Sequence, residues 1–414
     1  MSPEELFALR EKRFDDIVAL REPDKVPVIP LVTTYFPTRV KGFSNRDAGY
    51  DQPLRFRCMK EVALEYGWEF AVPNGLFTSQ GLDAIGMLQV RWPGGDLPDN
   101  APFQYVEGEY VTSDEYDELL ADPQGFTVRK IFPRVGSEFA GLGQIPLPPL
   151  HWVSNGYYVQ QVLARMLAAP PMRRALDALV KLADAAAVSD AAMYAHIQEM
   201  ADLGYPWLWS CVSMTAFDLV SDYFRGLRGS SLDMYRQPDK LMAAIDLMRP
   251  AAIELPKGVV AMGGVPRVFI PMHRGADNFM SEETFEKFYW PSFRELIDAL
   301  IEAGITPIPL FEGHYTSRLK YLAELPVGKV AAHFDFVDRK KFKELCGDVM
   351  CFWGNVPASL LCTGTPQQVK DDVKQLVDLF GGRLMIDANL GVPDEARPEN
   401  VMAMWEAVEE CGVS

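Results

Sequence analysis

The feature that most constrains the fold is a regular alternation of short apolar runs with amphipathic helices from about residue 155 onward. Candidate strands lie at 206–211, 259–262, 305–311, 329–336, 349–353 and 383–388. Candidate helices lie at 169–192, 284–303 and 366–380. This alternation implies a parallel sheet, and its repetition favours an α/β fold of the (β/α)8 TIM barrel type. A doubly wound sheet is the alternative, but no GxGxxG motif follows a first strand.

The first 150 residues differ in composition from the rest. Proline-rich stretches, which exclude long helices, lie at 23–37, 92–102 and 144–150. Candidate extended segments lie at 26–35, 69–77 and 88–110. We therefore expect one barrel domain over 1–414, with an N-terminal elaboration that includes an insertion at about 88–150.

The charge balance excludes a nucleic-acid binder held by a basic surface. The chain has 40 Lys and Arg against 57 Asp and Glu, a net charge of -17. No run approaches the roughly 18 apolar residues of a membrane span, and the charged N-terminus lacks a signal-peptide pattern. We expect a cytoplasmic protein with no membrane partner.

Cysteine and histidine are sparse and scattered. The six cysteines and five histidines form neither a CxxC pair nor an HExxH motif. Cys346 and Cys351 lack a second pair at zinc-ribbon spacing, so we interpret them as buried reduced thiols.

Polar residues at the ends of predicted strands are the first candidates for a site, because barrel enzymes place reactive groups there. Glu312 and His314 directly follow an apolar run, His333 lies within the next run, and Asp387 and Asn389 end the last one. Such residues can converge into a metal site or an acid/base pair. Structural roles also fit: a core histidine for His333, a loop residue for His314 and a turn residue for Asp387.

Two other groups have roles that the sequence leaves open. His273 lies beside Arg274 in a predicted loop, where it either anchors the loop or contacts a substrate. Trp207 and Trp209 end a predicted strand and fit the wall of a pocket for a flat apolar substrate.

The segment from Gly354 onward resembles the closing part of the uroporphyrinogen decarboxylase superfamily. It contains a Gly-Asn strand end, a Gly-Thr-Pro helix start, a Gly-Val-Pro turn and a Pro-Glu-Asn helix start. PDKVPVIP near the N-terminus and FRG at 224–226 also fit, so the resemblance covers nearly the whole chain. It implies a distorted (β/α)8 barrel, and it is less specific for activity.

Two branches of that superfamily fit poorly. True decarboxylases carry an Arg-Gln-Ala-Gly-Arg type segment after the first strand, whereas this stretch offers only Arg39 and Lys41. Methyltransferases for methanol or methylamines bind zinc through His-x-Cys, and 310–312 reads Leu-Phe-Glu at that position.

A third branch fits in part. The methyltransferases of anaerobic aryl-ether O-demethylases are described by an acidic residue, fourteen residues, Glu, twenty residues and His. Glu312 and His333 match the second half of that pattern, whereas its first position falls on Ile297. Asp298 is one residue away, but it shares a helix face with Arg294 and fits a solvated ion pair there.

The resemblance therefore implies a corrinoid-dependent methyltransferase. It would move a methyl group from a methoxylated aromatic compound to the cobalt(I) of a corrinoid protein that carries cobalamin, with zinc activating the ether oxygen. Glu312, His333 and Asp387 are the predicted metal ligands, with His314 and Asp298 as alternatives for the third. His314 is also the predicted catalytic proton donor. A decarboxylase of a small substrate and a non-catalytic binding barrel are the alternatives, and a homodimer is a candidate assembly.

Overall fold

The computed structural model describes residues 1–31, 34–73, 77–144 and 156–411. Within these ranges the main sheet has six parallel strands, whose order across the sheet follows their order in the chain. A separate antiparallel hairpin of two strands lies in the N-terminal part. In chain order, the hairpin consists of the first two strands and the main sheet of the other six. The strands are β1 (Val90–Arg91), β2 (Gln104–Tyr105), β3 (Cys211–Val212), β4 (Arg267–Met272), β5 (Thr306–His314), β6 (Ala331–Phe336), β7 (Cys351–Trp353) and β8 (Leu384–Met385).

Two further segments close this sheet into a ring. Val28 pairs with Ile386 just beyond β8, and Ala71 pairs with Trp207 just before β3, both in parallel. The Glu69 amide donates to the Val28 carbonyl over 3.2 Å, which joins the two segments to each other. The ring of eight positions with its connecting helices is a (β/α)8 barrel of the TIM type, as the sequence pattern predicted.

Helices fill the connections between these strands. In the N-terminal part they are α1 (Pro3–Val18), α2 (Phe36–Val40), α3 (Asn45–Tyr50), α4 (Gln52–Glu65), α5 (Ser79–Ile85), α6 (Tyr116–Ala121), α7 (Pro123–Phe126) and α8 (Phe132–Val135). Then follow α9 (Gly156–Leu167), α10 (Pro170–Asp202), α11 (Ala216–Val220), α12 (Gly226–Arg236), α13 (Pro238–Ala261), α14 (Glu282–Thr284) and α15 (Trp290–Glu302). The last are α16 (Leu319–Leu322), α17 (Arg339–Cys346), α18 (Ala358–Thr363), α19 (Pro366–Phe380) and α20 (Pro398–Cys411). None of these helices combines the length and the hydropathy that a bilayer crossing requires.

Helix boundaries follow local capping signals. The predicted helix over 366–380 is confirmed, because Thr365 and Gln368 form a capping box at its start and Gly381 ends it. The predicted helix over 284–303 is interrupted by a π-helical turn, Phe285–Tyr289, and the one over 169–192 extends to Asp202.

One predicted strand is wrong. Residues 259–262 form the end of α13, and the strand is β4, which starts at Arg267. The apolar run at 259–262 continues the helix, and Gly263, with φ of 100°, follows it in a conformation that favours glycine. This correction moves His273 from a loop to the position directly after a barrel strand.

The barrel interior changes from apolar to polar toward the C-terminal ends of the strands. Because side chains alternate along a strand, every second residue faces inward. The lower layers are an apolar cluster that includes Phe269, Ile308, Ala331, Trp353 and Met385. The same alternation then brings polar residues to the inner face: His273, Glu312, His333, Asp335, Asn355, Asp387 and Asn389.

The N-terminal elaboration is fastened to one side of this polar mouth. The amides of Tyr110 and Val111 donate to the Phe224 carbonyl over 2.8 and 2.7 Å. Arg225 pairs with Glu109 at 3.0 Å. The β1–β2 hairpin confirms the strand predicted within 88–110. The residues that follow the hairpin, 109–111, are thereby tied to the residues that follow β3.

Candidate active site

The mouth of the barrel holds a hydrogen-bonded histidine and carboxylate. His273 directly follows β4, and Asp222 lies in the π-helical turn Ser221–Arg225. Nδ1 of His273 is hydrogen-bonded to Asp222, and Arg274 donates to the other oxygen of that carboxylate over 2.9 Å. Nε2 lies 3.6 Å from Oε1 of Glu312, which is too far for a hydrogen bond. Among the described residues Nε2 therefore keeps its donor capacity for a ligand.

The loop that carries His273 is fixed by the buried carboxylate of Asp218. Asp218 accepts hydrogen bonds from the amides of His273 and Arg274 over 3.3 and 3.0 Å. The Tyr289 hydroxyl donates to the same carboxylate over 2.6 Å. Burial raises the pKa of Asp218 to about 6, although the charge of His273 offsets part of the rise. At neutral pH the carboxylate is ionised and holds the loop.

The electrostatics of the mouth favour a protonated His273. Burial alone would lower its pKa, but the hydrogen bond to Asp222 and the charges of Glu312, Asp218 and Asp222 outweigh burial and raise the pKa to about 9. Burial also raises the pKa of Glu312, and His273 offsets this only in part. An imidazolium with a free donor is suited to general acid catalysis.

An aromatic wall, defined as Phe77, Phe103, Tyr105 and Tyr223, borders this group. The first three rings pack edge to face with centroids 5.5–6.4 Å apart. The Tyr105 hydroxyl interacts electrostatically with Tyr223, Asp222 and Glu312, and Tyr223 directly follows Asp222 in the chain. Tyr105 is 69% exposed and Tyr223 is 47% exposed, so their rings are available to a ligand.

A pocket of about 420 Å³ lies at the ends of β6, β7 and β8. Asp335, Asn355 and Asn389 line it from the barrel side. Asp335 accepts hydrogen bonds from the Gly313 amide over 2.9 Å and from Asn389 over 2.5 Å, so its carboxylate is held in place. Burial raises the pKa of Asp335.

The structure brings together two of the sequence-predicted residues, His333 and Asp387. Nε2 of His333 lies 3.0 Å from Oδ2 of Asp387, and both side chains are fully buried. Asp387 also accepts from the Leu31 amide over 2.6 Å. His333 pairs in register with Leu310, two residues before Glu312 on β5. The pair therefore lies one layer, about 6.6 Å along the strands, below the mouth.

The three predicted zinc ligands lie in two layers of the barrel. Glu312 is associated with His273, whereas His333 and Asp387 are bonded to each other in the layer below. His314 stacks on Phe336 at the exposed end of β5, with ring centroids 5.0 Å apart. Within the described residues no three His, Cys, Asp or Glu side chains are grouped to hold a metal ion. Zinc stays a prediction, which metal analysis of protein purified without chelator tests.

The alternative third ligand Asp298 is engaged elsewhere. Its carboxylate lies 2.6 Å from Nε of Arg294, the helical ion pair that the sequence predicted. Ile297 is fully buried in α15. Asp298 is therefore part of a helix surface.

Sequence reasoning missed the role of Asp218 and Asp222 and left that of His273 open. The signal for His273 was available, because Pro-Met-His directly follows the apolar run Val-Phe-Ile. Because the preceding strand was predicted at 259–262, His273 was assigned to a loop and not to a strand end. The two aspartates lie on short helical turns after β3, where spacing alone does not distinguish a site from a cap.

We expect an NMR titration of the imidazole nitrogens to give a pKa near 9 for His273. Because this value lies above the unfolded value of about 6.5, the stabilisation from the His273–Asp222 pair is fully present below pH 6.5 and is lost as the pH rises through 9. With five histidines in the chain, the spectrum of a His273→Gln variant identifies the resonance. A pKa at or below 6.5 would contradict this electrostatic assignment.

Comparison with known proteins agrees with the resemblance seen in the sequence. Residues 213–411 match the family described as Uroporphyrinogen decarboxylase (URO-D). A solved structure of a methyltransferase from Methanosarcina mazei is similar, with a TM-score of 0.62 and 16% identity, over 97% of this chain and 98% of that chain. No curated protein matches the chain. The chain thus shares its barrel fold with that methyltransferase, and its C-terminal half is similar to the URO-D family.

Proposed function

We propose that this protein is a methyltransferase that removes a methyl group from a methoxylated aromatic compound and passes it to the cobalt(I) of a corrinoid protein. The observation that carries the proposal is the Asp222–His273 pair, whose free Nε2 faces Glu312 beside the aromatic wall. This arrangement joins a proton donor to a surface suited to a flat ring.

The chemical obstacle in this reaction is the ether oxygen, which is a poor leaving group. As the bond between the methyl carbon and the oxygen breaks, its electron pair stays on the oxygen, and His273 Nε2 delivers a proton there so that a neutral phenol departs. The corrinoid supplies the electron pair that receives the methyl group. Asp222 holds the imidazole ring in position and stabilises its charged form.

The exposed mouth also suits a reaction partner that comes from outside. The aromatic wall leaves Tyr105 and Tyr223 accessible, and Phe336 at the end of β6 is 47% exposed. A protein-borne acceptor can therefore approach the methyl carbon from the open side while the oxygen faces His273. No step is assigned to zinc, because Glu312, His333 and Asp387 do not form one ligand set.

Methyl transfer to free cob(I)alamin, used as the acceptor probe, tests this function. We expect loss of the cobalt(I) absorbance and release of catechol when the protein is mixed with 2-methoxyphenol. Evolution of CO2 from a carboxylated aromatic without change at cobalt would indicate a decarboxylase instead. Ligand binding without either product, across a panel of methoxyarenes, would indicate a non-catalytic barrel.

A further inference from the structure

We propose, resting on the proposed function, that the methyl donor carries no carboxylate group, so that the site accepts neutral methoxyphenols and rejects methoxybenzoates. The charges that would surround a ring placed between His273 and the aromatic wall favour such a neutral donor.

Negative charge exceeds positive charge at the mouth. Four carboxylates lie there, those of Asp218, Asp222, Glu312 and Asp335. His273 links three of them, because its amide donates to Asp218, its Nδ1 is hydrogen-bonded to Asp222 and its Nε2 lies 3.6 Å from Glu312. Asp335 accepts from the amide of Gly313, the residue after Glu312. Two cations, His273 and Arg274, oppose them, and both are already hydrogen-bonded to Asp222. A substrate carboxylate would add a fifth negative charge to this group.

The nearby arginines are committed to other partners. Arg225 is 2% exposed and binds Asp233 at 2.6 Å. Arg339 binds Asp372 and Asn355. Arg318 is buried and donates to the carbonyls of Gly275 and Met280. None of these three guanidinium groups is therefore available to a substrate carboxylate.

A further cation beside the mouth, Lys340, is exposed to water. Lys340 lies at the start of α17 and lines the 420 Å³ pocket. Solvent and salt weaken the attraction of such charges for a group deeper in the site. The segments outside the described ranges, 32–33, 74–76, 145–155 and 412–414, contain no Lys or Arg. No undescribed Lys or Arg therefore changes this balance.

An uncharged ring fits the same surroundings. The aromatic wall offers ring faces and edges for stacking. A phenolic hydroxyl next to the methoxy group can donate a hydrogen bond to an acidic residue such as Glu312, which is 35% exposed. The mouth is therefore complementary to a hydrogen-bond donor and unfavourable to an anion.

The test compares two ligands of the same shape, 4-hydroxy-3-methoxybenzamide and 4-hydroxy-3-methoxybenzoate. Binding is measured by calorimetry, and methyl transfer to cob(I)alamin is measured separately. We expect the amide to bind at least about 10-fold more tightly at low salt and the difference to narrow as salt is raised. An Asp335→Asn variant should also reduce the difference in affinity between the amide and the benzoate, because it removes one negative charge from the mouth. Asp190→Asn, on the exposed face of α10, removes the same charge far from the mouth and should leave the ratio unchanged.

Each outcome separates this inference from the proposed function. Equal or tighter binding of the benzoate overturns the charge selection, and methyl transfer from both ligands would then leave the proposed function standing. Preferred binding of the amide without methyl transfer supports the charge selection and overturns the proposed function. Absence of binding by both ligands overturns both.

Discussion

Replacing His273 with Gln is expected to lower kcat for methyl transfer by about 10²–10⁴-fold, the range for loss of a positioned general acid. Gln keeps a side chain of similar length but cannot deliver a proton to the leaving oxygen. Because the proton moves only as the C–O bond breaks, we expect KM to change little. Initial rates of catechol release, measured over a range of 2-methoxyphenol concentrations, separate the two parameters.

A His314→Gln variant distinguishes this assignment from the one made on sequence. His314 stacks on Phe336 at the rim, so its replacement should have a smaller effect than that of His273. Thermal melting of both variants shows whether they are folded. If His314→Gln loses more activity than His273→Gln, the proton donor is His314 and the site described here is wrong.

The second large effect is expected on stability, from Asp387→Ala. This carboxylate is hydrogen-bonded to Nε2 of His333 and accepts a hydrogen bond from the Leu31 amide in the barrel interior. The side chains of Asp387 and His333 are both fully buried. Removing one partner of a buried ionisable pair costs about 3–5 kcal/mol, because the other polar groups stay buried without a partner. Urea denaturation should show this decrease in the free energy of unfolding.

Two controls define the role of Asp387. Asp298→Ala breaks a half-exposed helical ion pair and should change the free energy of unfolding by less than about 1 kcal/mol. Asp387→Asn keeps an oxygen that accepts the hydrogen bond of the Leu31 amide. It should therefore lower the free energy of unfolding less than Asp387→Ala does. If Asp387→Ala is as stable as the parent protein but loses a bound metal, Asp387 is a metal ligand and the structural role is wrong.

The barrel was predictable because its signal is repeated. Apolar runs alternate with helices such as α15 and α19, and each unit independently indicates the same connection between parallel strands. The first two strand positions were also predicted, within 26–35 and 69–77, although Val28 and Ala71 pair there through single bridges and residues 32–33 and 74–76 lie outside the described ranges. The error at 259–262 has a local cause: an apolar run of four residues fits a strand and a helix end equally well.

The site was only partly predictable. The position of a residue at a strand end predicts that its side chain faces the barrel interior, but it does not predict in which layer of the barrel the side chain lies. Glu312 and His333 both face inward, yet a difference of one layer gives them different partners. Asp222 reaches His273 from a helical turn 51 residues earlier, a contact that depends on how β3 and β4 are paired. Periodicity in one segment carries no information about such a contact.

The most direct test of the account follows the methyl group itself. 2-Methoxyphenol with a deuterated methyl group is incubated with the protein and cob(I)alamin, and the products are analysed by mass spectrometry. The account predicts one deuterated methyl group on cobalt for each catechol released, and no transfer by His273→Gln above the level without protein. Catechol without labelled methyl on cobalt, or labelled transfer that is unchanged in His273→Gln, would contradict it.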